Sequence, residues 1–222
     1  MLAFLARFPW AIYLVRLVVL VIAFTAHEFA HALTATALGD PTPREEGRLT
    51  LNPLLHLESI GVLLGLALGI GWSRPVHFQP QRMQIGGRAI PDALGGVITV
   101  AAGPSVNFAL ALIGVAVMSA LGMLPSTPIN TWPTLAEWLT VFVRLNLAIA
   151  LFNLLPLFPL DGYMSIHAIL PVRAMARWEA ASGRTTLILG IGIAALLMMP
   201  TPWLLALMIP LVQVVNKTIL GW

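Results

Sequence analysis

The chain has 222 residues, 59% of them hydrophobic, and carries 12 Lys+Arg against 9 Asp+Glu. At 9% charged, against about 25% in an average soluble domain, it is too poor in polar surface to be a water-soluble globule and too apolar to be disordered. The absence of cysteine excludes disulfides, thiolate metal sites and thiol nucleophiles, and a net charge of +3 resting on dispersed arginines gives no basis for a nucleic-acid partner.

A span uses about 20 residues, so the length predicts an all-α polytopic membrane protein of five to six transmembrane helices, a single integral-membrane domain over residues 1–222. In chain order, the first apolar block runs from Trp10 to Leu38, long enough to cross. Gly39 to Ser59 holds GDPTPREEGR and LNPLLHLE, whose Pro, Gly and charges break a helix and predict loop or short strand. Ile60 to Gly71 is too short to cross and predicts a re-entrant segment or one tucked against other helices. Trp72 to Asp92 is polar and basic, with Pro75, Pro80 and Gly86-Gly87 predicting extended segments or a hairpin at the membrane surface. Ala93 to Leu124 spans, as does Thr134 to Leu155, which Pro156 and Pro159 terminate. Thr185 to Met199 and Trp203 to Ile219 predict a closing helical hairpin. The basic connections assign Trp72 to Asp92 and Pro171 to Arg184 to the cytoplasm.

His27-Glu28-Phe29-Ala30-His31 is an H-E-x-x-H sequence within the first apolar block. Four residues advance about 400° around a helix, so both imidazoles project from one face and can reach one metal ion. Glu28, on the neighbouring flank, is placed to take a proton from a metal-activated water. Three ionisable groups within one turn of a span each cost about 2.5–3.5 kcal/mol on insertion scales, which argues for a compensating ion. Two imidazoles and a carboxylate with an open position suit one Zn2+ per chain. The remaining candidates for third ligand are Asp161, His56, Glu58, His77 and His167. Asp161 is preferred because the proline break delivers it at membrane depth from irregular backbone, which is tolerated there where it lines a site; a helix N-cap before Gly162 is its structural alternative. For Asn153 two roles stand equal, a donor to a developing oxyanion and an interhelical hydrogen bond; for Asn107 and Asn146 the hydrogen-bonding role leads. The Gly95, Gly96, Ala102 and Gly103 series reads as a close-packing seam.

HEFAH at His27 to His31 and the segment Asn153 to Gly162 (NLLPLFPLDG) resemble the two signatures of the site-2 proteases, intramembrane zinc metalloproteases, in a compact form without PDZ or CBS domains. LNPLLHLESIG from Leu51 to Gly61, RPV from Arg74 to Val76, and Gly103-Pro104 followed by Asn107 support the resemblance, which covers roughly residues 23–162. It departs where Glu58-Ser59 stands in place of the family's Asp-Pro. The resemblance implies His27, His31 and Asp161 as zinc ligands, Glu28 as catalytic base and Asn153 near the substrate carbonyl. It also implies membrane-protein substrates within a lipid bilayer, and a site facing the cytoplasmic side of a prokaryotic cytoplasmic membrane. A metal transporter and an inactive adaptor for membrane segments are the competing readings. A substrate helix must unwind to be cut, and segments 49–57 and 79–88 are expected to offer it an extended edge.

Overall fold

The computed structural model describes residues 10–68, 72–125, 132–171 and 173–179. Among them three helices are long and apolar enough to cross a membrane: α1 (Trp10–Ala37), α5 (Asp92–Ala120) and α6 (Leu135–Asn153). At 1.5 Å per residue the shortest, with 19 residues, is about 28 Å long, close to the roughly 30 Å of a bilayer's hydrocarbon core. These coincide with the first three predicted spans. The expected spans at Thr185 to Met199 and Trp203 to Ile219 lie outside the described residues.

Helix α5 is the centre of the bundle, packed against both α1 and α6, and α6 carries an apolar cluster on each of two sides. On one side Val141, Leu145 and Ile149 pack with Val15, Val19, Leu20, Ala23 and Phe24 of α1. On the other, Val143 and Leu147 pack with Ala111, Val115 and Met118 of α5. A Cβ on Gly114 would stand 2.6 Å from Val143 Cγ2, so a glycine is what lets α5 and α6 approach this closely. Thr134 and Glu137 start α6 with a reciprocal capping box that satisfies two otherwise unpaired backbone donors. The bundle's polarity is inverted relative to a soluble protein. Leu14, Val18 and Ile22 form an exposed apolar stripe on α1, while His27, Glu28, His31, Thr99, Asn107 and Asn146 are buried. That distribution suits lipid outside and a functional interior.

Between α1 and α5 the chain departs from the sequence expectation over residues 42–56. Instead of loop or strand, residues 42–56 contain two one-turn helices, α2 (Thr42–Glu45) and α3 (Pro53–His56). Each has a proline in its first turn, where the missing N–H costs nothing, and Asn52 caps α3 by accepting from Leu54 N–H at 3.1 Å. The expected extended edge over 49–57 is therefore interrupted by helix. Helix α4 (Ser59–Leu68) occupies the short apolar block and packs against α1. A 3-10 turn (Pro80–Arg82) then leads into a small antiparallel hairpin, β1 (Gln84–Ile85) and β2 (Arg88–Ala89). Its two-residue turn is Gly86-Gly87, with φ of 58° and 77°, the left-handed pair that matches strand twist.

Helix α6 stops at Asn153, before Pro156, and α7 (Asp161–Ile169) begins two residues after Pro159, with Leu160 at its N-cap. A Cβ on Gly162 would lie 2.3 Å from the Leu154 carbonyl and 2.4 Å from that of Leu155. Glycine therefore permits α7 to start against the end of α6, and this fixes where Asp161 falls.

Candidate metal centre

One side chain from each of three positions converges between α1, α5 and α7. Asp161 Oδ2 lies 3.0 Å from His27 Nε2 and 3.4 Å from His31 Nε2. The ring centroids of the two histidines are 4.7 Å apart, and one potential ligand atom each of His27, Glu28 and His31 falls within 4.8 Å of the others.

The hydrogen-bond network fixes which ring nitrogens are free. The Thr99 carbonyl can only accept, so His31 Nδ1, 2.8 Å away, carries a proton, and in the neutral ring Nε2 presents its lone pair inward. For His27 the assignment runs through two amides. Asn146 Nδ2 donates to the Phe142 carbonyl at 2.9 Å, which turns its Oδ1 toward Asn107. Asn107 Nδ2 donates to that oxygen at 2.9 Å and to the Ala23 carbonyl at 3.2 Å. Asn107 Oδ1 is thereby left to accept from His27 Nδ1 at 2.5 Å, and His27 Nε2 also presents a lone pair. Pro104 lies inside α5; it offers no N–H to Val100 and crowds that carbonyl, interrupting the helical ladder next to the Thr99 carbonyl that His31 uses.

Two imidazole lone pairs thus face a carboxylate oxygen that is buried and accepts no hydrogen bond. Acceptors directed at one point are satisfied by a cation between them, a metal ion or a proton carried on an imidazole. Their 3.0 and 3.4 Å separations are those of neighbouring ligands around a tetrahedral ion with bonds of about 2.0–2.1 Å, whose edges measure roughly 3.3 Å. A dication would also offset the two carboxylates, Glu28 and Asp161. Gly103 forms the wall: a Cβ there would sit 2.3 Å from His31 Nε2 and 2.5 Å from His27 Nε2. His27, His31 and Asp161 accordingly fit a zinc ion.

Glu28, almost fully buried, is held by the segment after α4. Ser73 Oγ donates to its Oε1 at 2.6 Å and the Val76 N–H to its Oε2 at 3.0 Å.

Along the matched region this chain is 37% identical over 177 residues to "Putative zinc metalloprotease YwhC" of Bacillus subtilis (strain 168), covering 78% of this chain and 77% of the relative. The chain belongs to this zinc metalloprotease family. No family model and no solved structure matches it.

The other sequence candidates for third ligand of the metalloprotease are engaged elsewhere. His56 is fully buried, with Nε2 2.7 Å from the Thr50 carbonyl. Glu58 accepts from Gly61 N–H at 2.7 Å. His77 is exposed beside Glu46, and His167 lies 3.0 Å from Glu179. Asn153 donates Nδ2 to the Ile149 carbonyl of its own helix at 3.0 Å, leaving one amide N–H for another partner. Sequence reasoning missed Gly103 as a wall of the site, Ser73 as a partner of Glu28 and Asn107 as the partner of His27. Asn107 had a readable signal: an amide within a span must find a partner, and the costliest nearby groups were the two imidazoles.

Proposed function

We propose that this metalloprotease is a site-2-protease-like intramembrane enzyme that hydrolyses peptide bonds within or next to the transmembrane segments of membrane proteins. The observation that carries the reading is the meeting of His27, His31 and Asp161 between helices of span length with apolar exteriors. In this reading those three residues hold one Zn2+ per chain, on the cytoplasmic side of a prokaryotic cytoplasmic membrane. When bound, the ion supplies Lewis-acid activation of water and of the scissile carbonyl. Glu28, adjacent to His27, takes the proton of the attacking water and delivers it to the departing amine nitrogen. Thr99 and Asn107 keep the imidazoles in the ligating tautomer. Asn153 uses its remaining amide N–H near the substrate carbonyl, where a neutral donor stabilises developing negative charge without altering the net charge of the site.

The deciding experiment measures metal content together with cleavage of a single-span membrane substrate in liposomes, for wild type, Glu28→Gln and Asp161→Ala. Wild type is expected to cleave, Glu28→Gln to retain zinc with cleavage lowered about 10²- to 10⁴-fold, and Asp161→Ala to lose zinc. Metal flux without cleavage in any form would favour a transporter; tight zinc without cleavage or flux would favour an adaptor.

A further inference from the structure

Both oxygens of the Glu28 carboxylate are occupied from one short segment, residues 73–76. An ionised carboxylate has about four acceptor positions, so these two bonds orient the group while leaving lone pairs for a proton. The segment is itself immobilised. Ser73 pairs with Leu57 in an isolated antiparallel bridge, and Arg74 N–H donates to the His56 carbonyl at 2.7 Å. A Cβ on Gly61 would come within 2.0 Å of the Trp72 carbonyl, so α4 presses directly on the backbone just before Ser73. Arg48 ties the whole together. Its guanidinium is buried and donates to the Leu55, Arg74 and Pro75 carbonyls, the last at 3.1 Å. Burial lowers its pKa and the Glu28 carboxylate opposes that shift, so the guanidinium stays charged at neutral pH.

From this arrangement we infer that Ser73 and Arg48 are positioning residues for hydrolysis: Ser73, with the Val76 amide, aims the Glu28 carboxylate, and Arg48 holds the segment that carries both. The inference rests on Glu28 being the proton acceptor, as proposed above. A rigid base is preorganised for the transition state, so loss of the Ser73 bond acts on turnover rather than on substrate binding.

The test uses the full chain in phosphatidylcholine/phosphatidylglycerol vesicles with a quenched-fluorescent single-span peptide, comparing wild type with Ser73→Ala, Ser73→Thr, Arg48→Gln, Ser73→Ala/Arg48→Gln and Glu28→Gln. Ser73→Ala is expected to lower kcat about ten- to hundredfold, the range for losing a hydrogen bond to a charged group, with KM and bound zinc unchanged. Ser73→Thr, which keeps the hydroxyl, is expected to restore most of kcat. Arg48→Gln is expected to lower kcat as well, and the double variant to fall less than the product of the singles. Should Arg48→Gln fail to fold, the Ser73 pair decides alone. Wild-type kcat in Ser73→Ala beside an inactive Glu28→Gln would overturn the positioning role and leave the base intact. A loss in Ser73→Ala that appears in KM or in zinc content, or that Ser73→Thr does not recover, would overturn it too. Full activity in Glu28→Gln would remove the base, and the inference with it.

Discussion

Asn107 on α5 and Asn146 on α6 meet with Nδ2 and Oδ1 2.9 Å apart, and this contact determines which nitrogen of His27 is free for a metal. Neither amide can rotate without setting one of its N–H groups against an acceptor's place or its oxygen against the Ala23 or Phe142 carbonyl. Replacing Asn107 with Leu leaves the His27 Nδ1–H buried and unpaired. Loss of such an outer partner typically costs 10–100-fold in metal affinity, so a chelator-competition titration of Asn107→Leu is expected to weaken zinc by about that factor. Asn146→Leu should shift affinity in the same direction by less, because Asn107 keeps the Ala23 carbonyl. Unchanged affinity in Asn107→Leu would contradict the tautomer argument.

Gly103→Ala separates helix stability from site integrity. Alanine is favoured over glycine in a helix interior by about 1 kcal/mol, yet its methyl would stand 2.3 Å from His31 Nε2. The variant is expected to retain its helical circular dichroism and to lose most of its zinc by atomic absorption. Full metal occupancy would show that the wall is elsewhere.

Gly162→Ala probes the Asp161 carboxylate indirectly. The added Cβ would stand 2.3 Å from the Leu154 carbonyl, and relief of that clash displaces the start of α7 and Asp161 with it. Zinc affinity should fall at least tenfold, on the scale of a displaced ligand partner. An affinity equal to wild type would mean that Asp161 reaches the imidazoles independently of the α6 to α7 approach.

Metal removal should lower stability as well as activity. Binding of zinc to the folded state alone contributes about 4 kcal/mol at a free zinc concentration 1,000 times Kd. Thermal unfolding in detergent is therefore expected at a lower temperature after chelation and to recover on adding zinc. Asp161→Ala should not respond to either treatment.

The sequence made the helices around the site easy to read, because uninterrupted apolar runs bounded by Thr134 and the Pro156/Pro159 pair leave little choice of boundary. HEFAH was legible for the same reason: the period of a helix puts residues 27 and 31 on one face. Asp161 was legible as a ligand candidate through the proline break before it. The region 42–56 was not. Its one-turn helices depend on Asn52 capping and on prolines at favoured starting positions, and polar composition alone does not distinguish these from loop. Ser73, Arg48 and Gly103 were hidden for another reason. Their partners lie far along the chain, and a glycine matters at the site only because two imidazoles approach it.

The ring nitrogens at residues 27 and 31 leave the ribosome long before the carboxylate at residue 161. A growing polypeptide therefore holds only an incomplete coordination set. In the proposed reading, hydrolysis at this centre is therefore withheld until synthesis has passed α7, and a half-made chain has no means of cutting its neighbours.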